Sequence, residues 1–439
     1  MRKLLFLLLF LLFAGFDSVV AQPDVQLWLA QPDVSDFPVV RINVLSADFR
    51  STPLADLSDL RLRENGTPVP DFEIKTVPVG IDVVFVIDTD ESIHLVDDNS
   101  ELTRYQKIQE SITRYATRFM SPGGLDRVSI VVPDKDHENG RFLIEDATEP
   151  TAVTEAVSNY TPESSSTTPL HAMMTLAMEH AVQLQVAGRF QAVLLFSDAS
   201  QLNQQLDYPS LLALAQRANN LPVFAAILGG QATLDEIENV NRFTEPTRAF
   251  YVHMPRPADA DPIYLIWQRQ GNQPQIEYRS LQTRSGSYPI TVNLGQVTAS
   301  TVLELTIEPP QVAIQLEDNT VRRVGTAVDT PLTSLEPVRQ PVPVMVSWPD
   351  GLPRQLVTVA FFVNDQPVFS PQLPELNEDG RLVLTWDIRN LDAGAYELVA
   401  EVTDELGMAA ASEPVILTVA VVRPSPPTPT PAATAVPAT

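Results

Sequence analysis

Asp88-Thr89-Asp90-Glu91-Ser92 follows directly on the apolar run Val83 to Ile87. Residues 82–88 read as a buried strand, so these acidic and hydroxyl side chains emerge where that strand ends. The C-terminal edge of an open α/β sheet is where ligands usually bind. Oxygen donors two residues apart suit a hard divalent cation such as Mg²⁺.

Downstream, Leu102, Tyr105, Ile108, Ile112, Tyr115 and Phe119 recur at spacings of three and four, which predicts a helix over 101–119 with one apolar face. Pro122-Gly123-Gly124 breaks it, and Arg127 to Val132 starts a second strand. A hairpin through Asn139-Gly140 leads to Phe142-Leu143-Ile144. Helices are expected over 151–159 and 169–186, the second with Thr168 as N-cap and Pro169 at its first position. Ala192-Val193-Leu194-Leu195-Phe196 has the unbroken apolarity of a central parallel strand. Helices at 209–218, 232–242 and 260–270 then alternate with strands at 222–228 and 249–252. Such β-α alternation predicts a doubly wound, mostly parallel sheet.

Three motifs lie in order along this segment. The first is Asp88 with Ser92, the second Thr167-Thr168-Pro169-Leu170, and the third Leu194-Leu195-Phe196-Ser197-Asp198. Together, and with Asp126-Arg127-Val128 before the second strand, they resemble the von Willebrand factor type A (VWA) family over residues 81 to about 272. The resemblance implies a Rossmann-like α/β domain, placed here at 81–275, carrying a metal-ion-dependent adhesion site. It implies ion binding through the hydroxyls of Ser92 and Thr168 and through Asp88 and Asp198, directly or through water. Mg²⁺ is the expected ion, with Ca²⁺ and Mn²⁺ as alternatives. In that family an open coordination position takes an acidic side chain from a partner protein. This chain departs from the pattern at Asp90, which stands where the family has its first Ser. Asp90 is counted with Asp88, Ser92, Thr168 and Asp198 in the expected metal site. Its charge would strengthen cation binding while weakening the pull on an acidic ligand. Without an ion, three crowded acids would raise one another's pKa.

The flanks read as β structure. Val25 to Leu29, Val39 to Leu45, Leu57 to Leu62 and Phe72 to Val77 are strand-like within 22–80. This part loosely resembles the β-module that precedes bacterial type A domains. Ile276 to Tyr278, Tyr288 to Val292 and Val302 to Ile307 give three more strands within 276–308. The ends of an α/β domain often lie close together, so 22–80 and 276–308 are expected to pair into one sandwich interrupted by it. Residues 309–422 carry strands near 343–348, 357–364, 381–387, 395–403 and 414–422, spaced as in an immunoglobulin-like sandwich. The Pro/Thr/Ala-rich segment 423–439 reads as an extended tail.

Arg2 and Lys3 precede the apolar stretch Leu4 to Phe16, and Val19-Val20-Ala21 suits a cleavage site, so 1–21 is expected to be a secretory signal. With no cysteine anywhere, a disulfide framework and a lipid-modified Cys are both excluded. The mature chain shows no membrane-spanning segment and no C-terminal anchor, so a secreted or surface-associated protein is expected. A net charge of −26 argues against nucleic acid and anionic membranes as partners. Its patterning specifies no oligomeric state.

Weaker candidates read as structure. Asp134 to Gly140 places its glycine one residue late for a calcium loop and fits a hairpin tip better. Asp97-Asp98-Asn99 reads as a charge cluster at a helix start, or as a fringe of the metal site. Met173, Met174 and Met178 read as core. The expected function is an extracellular adhesion or protein-interaction module with a protein ligand. The alternative is a metal-free scaffold or spacer with a degenerate site. An enzyme is not expected, because no general base, His ligand set or nucleophile motif accompanies the acidic loop.

Overall fold

The described residues begin with five strands: Gln26–Leu29 (β1), Val39–Ala47 (β2), Leu60–Glu64 (β3), Thr67–Val69 (β4) and Phe72–Pro78 (β5). In β3, Leu60, Leu62 and Glu64 turn inward while Arg61 and Arg63 face solvent, the period-two pattern of a half-buried strand. The structure is a computed structural model and describes residues 25–136, 138–163, 168–200, 202–368, 376–377 and 379–425. The expected leader at 1–21, Thr167 and the tail from 426 lie outside the described residues. The described chain forms two compact units, the second built mainly from residue 304 onward.

Within the first unit the chain enters an α/β segment at Gly80 and leaves it at Gly271. The N–H groups of Val79 and Gly80 both donate to the Gly271 carbonyl, at 2.8 and 3.1 Å. Entry and exit are thus hydrogen-bonded to each other. Gly80 sits at φ +75°, and a Cβ there would lie 2.3 Å from the Leu125 oxygen, so a side chain cannot be accommodated.

The segment runs Ile81–Ile87 (β6), Arg104–Arg118 (α1), Arg127–Pro133 (β7), Gly140–Ala147 (β8), Pro150–Asn159 (α2), Leu170–Gln183 (α3), Phe190–Ser197 (β9), Leu202–Gln205 (α4), Tyr208–Arg217 (α5), Val223–Ile227 (β10), Leu234–Thr244 (α6), Tyr251–His253 (β11) and Asp261–Gln270 (α7). The sheet order is β11-β10-β9-β6-β7-β8. All neighbours are parallel except β7 and β8. Every residue of β6 and β9 is buried, because helices cover both faces. Val83, Phe85 and Ile87 pack with α1, α2 and α7. Val84 and Val86 pack with α3, α5 and α6, where Met173, Met174 and Met178 are core as expected. The phenyl ring of Phe85 lies 5.4 Å from Tyr115 and 5.7 Å from Trp267. At the start of α1, Thr103 and Gln106 form a reciprocal capping box.

After the α/β segment come Asn272–Arg279 (β12), Gly286–Leu294 (β13) and Val297–Leu305 (β14). The first of these begins at Asn272, ahead of the 276 read from the sequence. Strands from before and after the segment pair directly. β12 runs antiparallel to β5, from Asn272 opposite Pro78 to Tyr278 opposite Phe72, and β13 is antiparallel to β3. Two four-stranded sheets result, β1-β2-β12-β5 and β14-β13-β3-β4. The Tyr278 hydroxyl donates to Glu64 Oε1 at 3.1 Å and links them.

The second unit contains Gln311–Ile314 (β15), Thr320–Val324 (β16), Arg339–Ser347 (β17), Leu356–Val363 (β18), Gln366–Val368 (β19), Arg381–Asp387 (β20), Gly394–Asp404 (β21), Ala409–Ala411 (β22) and Val415–Val422 (β23). One sheet is β15-β17-β20, and the other is β16-β23-β21-β18-β19 with β22 on β21. Val342, Val344, Leu384 and Trp386 of the first sheet share one core with Phe361, Leu398, Ala400 and Leu417 of the second. The five strands expected from alternation are present. The four short ones were not expected, and β16 pairs with β23 in parallel.

Candidate functional site

β6 and β9 are neighbours in the sheet, with Ile87 opposite Phe196. Their C-terminal ends therefore deliver Asp88 and Asp198 side by side. The Asp88 N–H donates to the Phe196 carbonyl at 2.9 Å, which extends the ladder by one bond and fixes the direction of the Asp88 side chain. Asp88 Oδ2 accepts from the Ser197 hydroxyl at 2.7 Å. Its other oxygen, Oδ1, is buried and has no hydrogen-bond partner among the described residues.

The loop after β6 tightens at once. Asp90 caps a short 3-10 turn, Glu91–His94, and its Oδ1 accepts both the N–H and the hydroxyl of Ser92, at 2.9 and 2.6 Å. After β9, Ala199 adopts φ +61°, a left-handed conformation unusual for a residue with a Cβ. Its N–H donates to the Ser197 hydroxyl at 3.0 Å, and the next N–H, of Ser200, donates to Asp198 Oδ1 at 2.8 Å. Those bonds hold the strained turn that presents Asp198.

Thr168 was expected to cap α3, and it does not. Pro169 holds the cap position without a side-chain bond. The Thr168 hydroxyl is instead buried on the Asp88 side, near enough to lower that carboxyl's pKa, yet without a partner in hydrogen-bond geometry among the described residues. Thr89 Oγ1 is buried and unpartnered as well.

Asp88, Asp90, Ser92, Thr168 and Asp198 thus act on one another electrostatically. Burial, then the neighbouring charge of Asp90, pushes Asp88 up to about 7. Burial also raises Asp90, with Asp198 adding to it and the Ser92 hydroxyl opposing. Asp198 goes the other way. Burial works against its ionisation, but the nearby Ser92 hydroxyl, the Ser200 N–H and the charge of Arg104 hold it below the ordinary carboxylate value.

Arg104 is the residue that sequence reasoning missed. It is the first residue of α1, and its Nη1 donates to Asp198 Oδ2 at 2.9 Å. Its Nε and Nη2 bind Asp97 at 3.0 Å each. Asp97 is thereby linked to Asp198 through Arg104. Lys107 Nζ, buried one turn on, donates to Asp98 at 3.0 Å. The only advance signal was an Arg at a helix start, which is too common to mark a contact 94 residues away in sequence.

The donor set suits a hard cation. Two buried oxygens lacking partners, Asp88 Oδ1 and Thr168 Oγ1, stand beside two further carboxylates and a serine hydroxyl. Burying a polar atom without a bond costs about 1–3 kcal/mol, and an ion held by Asp88, Thr168, Ser92, Asp90 and Asp198 would relieve that cost.

A second group, Glu145, Asp146 and His180, has ligating atoms within 4.8 Å of one another. His180 Nε2 lies 3.0 Å from Asp146, and its Nδ1 lies 3.6 Å from Glu145. Ser129 Oγ lies 3.2 Å from Nε2 as well, so His180 is a hydrogen-bonded imidazole; if this group took an ion, its nitrogen donor would suit Zn²⁺ better than Mg²⁺. Neither residue pattern nor periodicity ties position 180 to 145 and 146.

No protein-family model matches the chain, and neither does any curated protein. Partial matches occur among solved structures, with TM-scores of 0.35 and below. BatB from Bacteroides thetaiotaomicron is 14% identical, with 44% of this chain covering 98% of that one at a TM-score of 0.35. Proximal thread matrix protein 1 from the mussel byssus is 16% identical, with 48% of this chain covering 51% of that one at 0.34. This chain therefore spans about half the length of the mussel protein. The TRAP protein of Plasmodium vivax, in a manganese-loaded form, is 13% identical, with 54% of this chain covering 97% of that one at 0.30. No helix among the described residues is long and apolar enough to cross a membrane.

Proposed function

We propose that this chain is an extracellular protein-interaction module. In this reading its α/β segment is a doubly wound, Rossmann-like domain of the von Willebrand factor type A kind, flanked by sandwiches of which the second is immunoglobulin-like. A divalent ion, Mg²⁺ by preference, is held by Asp88, Asp90, Ser92, Thr168 and Asp198 and bridges to an acidic group of a partner protein. One observation carries it: two buried oxygens from separate segments, Asp88 Oδ1 and Thr168 Oγ1, without a partner in hydrogen-bond geometry among the described residues, stand among three carboxylates. Leu95 and Val96, on the loop after Ser92, are each about half exposed and supply an apolar contact beside the ion. We read the site as binding rather than catalytic, because no nucleophile signature or general-base motif accompanies the acidic loop. Export rests on the leader read at 1–21.

A cation at 100 times its dissociation constant stabilises the folded state by about 2.7 kcal/mol. Millimolar Mg²⁺ or Mn²⁺ is therefore expected to raise the melting temperature, and Asp198→Ala to lose most of that gain. Equal shifts in both proteins would place the ion elsewhere. Zn²⁺ is left out because Glu145, Asp146 and His180 offer it a separate site.

Asp90→Ser tests the departure at that position. Serine is also a good cap, so the turn at Glu91–His94 should survive. The variant is expected to bind divalent ions more weakly but to gain metal-dependent affinity for acidic peptides, because the ion regains net positive charge. An unchanged Asp90→Ser alongside EDTA-sensitive binding of acidic peptides by the wild type would show that Asp90 does not cancel the ion's charge.

A second reading, a metal-free scaffold, draws support from Arg104, which already neutralises Asp198. Absence of any divalent-dependent stabilisation would favour it.

A further inference from the structure

The guanidinium of Arg104 divides its donors between two carboxylates that belong to different parts of the α/β segment. Nε and Nη2 face Asp97, seven residues back on the same loop, whereas Nη1 alone reaches across to Asp198 at the end of β9. All three side chains are close to nine-tenths buried, at 12%, 10% and 11% exposure. Room for the guanidinium is built in at Gly229, where a Cβ would stand 3.0 Å from Nη2. The base of Arg104 is fixed as well, since its N–H donates to the Leu95 carbonyl at 3.0 Å and the capping box holds the start of α1.

The division is unequal. Asp97 receives two nearly parallel bonds, the fork geometry in which arginine binds carboxylate best. Asp198 receives one. Breaking the single Nη1 bond leaves the guanidinium anchored, still charged and still paired. Asp198 Oδ2 is therefore an oxygen that the chain can release without stranding a buried cation.

We propose that Arg104 is a tethered internal cation that competes with the divalent ion for Asp198, so that the ion binds only as Arg104 retreats onto Asp97. This rests on the metal-site reading above and adds its regulation. Arg104 sets the threshold at which the site loads, and keeps Asp198 neutralised below it. The unpartnered oxygens of Asp88 and Thr168 show that the guanidinium satisfies only one edge of the site. The rest of the donor set is left for the ion.

The test is calorimetric titration of the full chain with Mg²⁺ and with Mn²⁺, comparing wild type, Arg104→Gln, Arg104→Lys and Asp88→Asn at low salt and at 0.5 M NaCl. Arg104→Gln is expected to bind at least about tenfold more tightly than wild type, equivalent to about 1.4 kcal/mol. Arg104→Lys should fall between them, because a single ammonium cannot hold both carboxylates in fork geometry. The gain should persist at 0.5 M NaCl, where a diffuse charge effect is screened. Equal affinities in wild type and both Arg104 variants, with Asp88→Asn abolishing binding, would overturn the competition while leaving the metal site standing. A gain that vanishes at high salt would also overturn it, as mere charge removal. Absence of binding in wild type and in both Arg104 variants would overturn the competition and the metal site together. Arg104→Lys keeps a positive charge beside Asp97, so the comparison survives if Arg104→Gln fails to fold.

Discussion

Stripped of divalent ions, the protein is expected to lose stability as the pH rises from about 4 to about 7, and Asp88→Asn to flatten most of that loss. In the folded chain the Asp88 carboxyl keeps its proton up to about 7, against an ordinary value of 3.8. Between those limits the native state binds a proton that the unfolded chain has released, so stability falls with pH across the window and levels off above it. The gap corresponds to about 4 kcal/mol at most. Asparagine has no proton to lose there and can still accept from Ser197. An ion would favour ionised Asp88 and release the proton, so saturating Mg²⁺ should remove the slope in the wild type. Chemical denaturation in EDTA at pH 4.5, 6 and 7.5 compares the two proteins directly. Parallel profiles for wild type and Asp88→Asn would show that the Asp88 proton does not carry the effect.

The same carboxyl shows how far sequence reasoning reached. The placing of Asp88 at a strand end was legible from the apolar run before it and that of Asp198 through the family resemblance, and a parallel sheet brings these neighbouring strand ends together. For Thr168 the family resemblance implied a ligand, while its Ser/Thr-before-helix pattern suggested a cap; the structure shows no cap bond and buries the hydroxyl near Asp88. Periodicity was sufficient for α1, where Tyr105, Ile108, Ile112 and Tyr115 are all buried. It fails for β15, β16, β19 and β22, strands of three to five residues whose identity is set by the partner strand rather than by alternation. Arg104 and His180 were illegible for a related reason. Their meaning lies in contacts with Asp198 and Asp146, which only the tertiary fold creates.

Arg354 illustrates the same limit in the second unit, and its removal is expected to be among the most damaging single changes in the chain. Its side chain is wholly buried, as are those of Asp350 and Asp404. Nε donates to Asp404 at 2.7 Å, Nη1 to Asp350 at 2.8 Å, and Nη2 to the Glu308 carbonyl at 2.6 Å. One guanidinium thereby joins the turn after β17, the end of β21 and the segment leading to β15. The carboxylates have other support. Asp404 Oδ1 accepts the N–H groups of Leu406 and Met408, and Asp350 accepts those of Leu352 and Glu308. Burial opposes ionisation of Asp350, yet the Glu308 N–H and Arg354 hold its carboxyl below the ordinary value. Arg354→Met removes the only positive charge in this set and leaves two buried anions, a change that typically costs about 3–5 kcal/mol. Asp404→Asn keeps its carbonyl oxygen for the backbone donors and should cost less. Once Arg354 is gone, Asp404→Asn should cost little more, because it then relieves an unpaired charge. Urea denaturation of the two single variants and the double variant measures that coupling, expected at about 0.5–3 kcal/mol. A loss below about 1 kcal/mol for Arg354→Met, or simple additivity in the double variant, would show that the backbone donors alone hold these turns together.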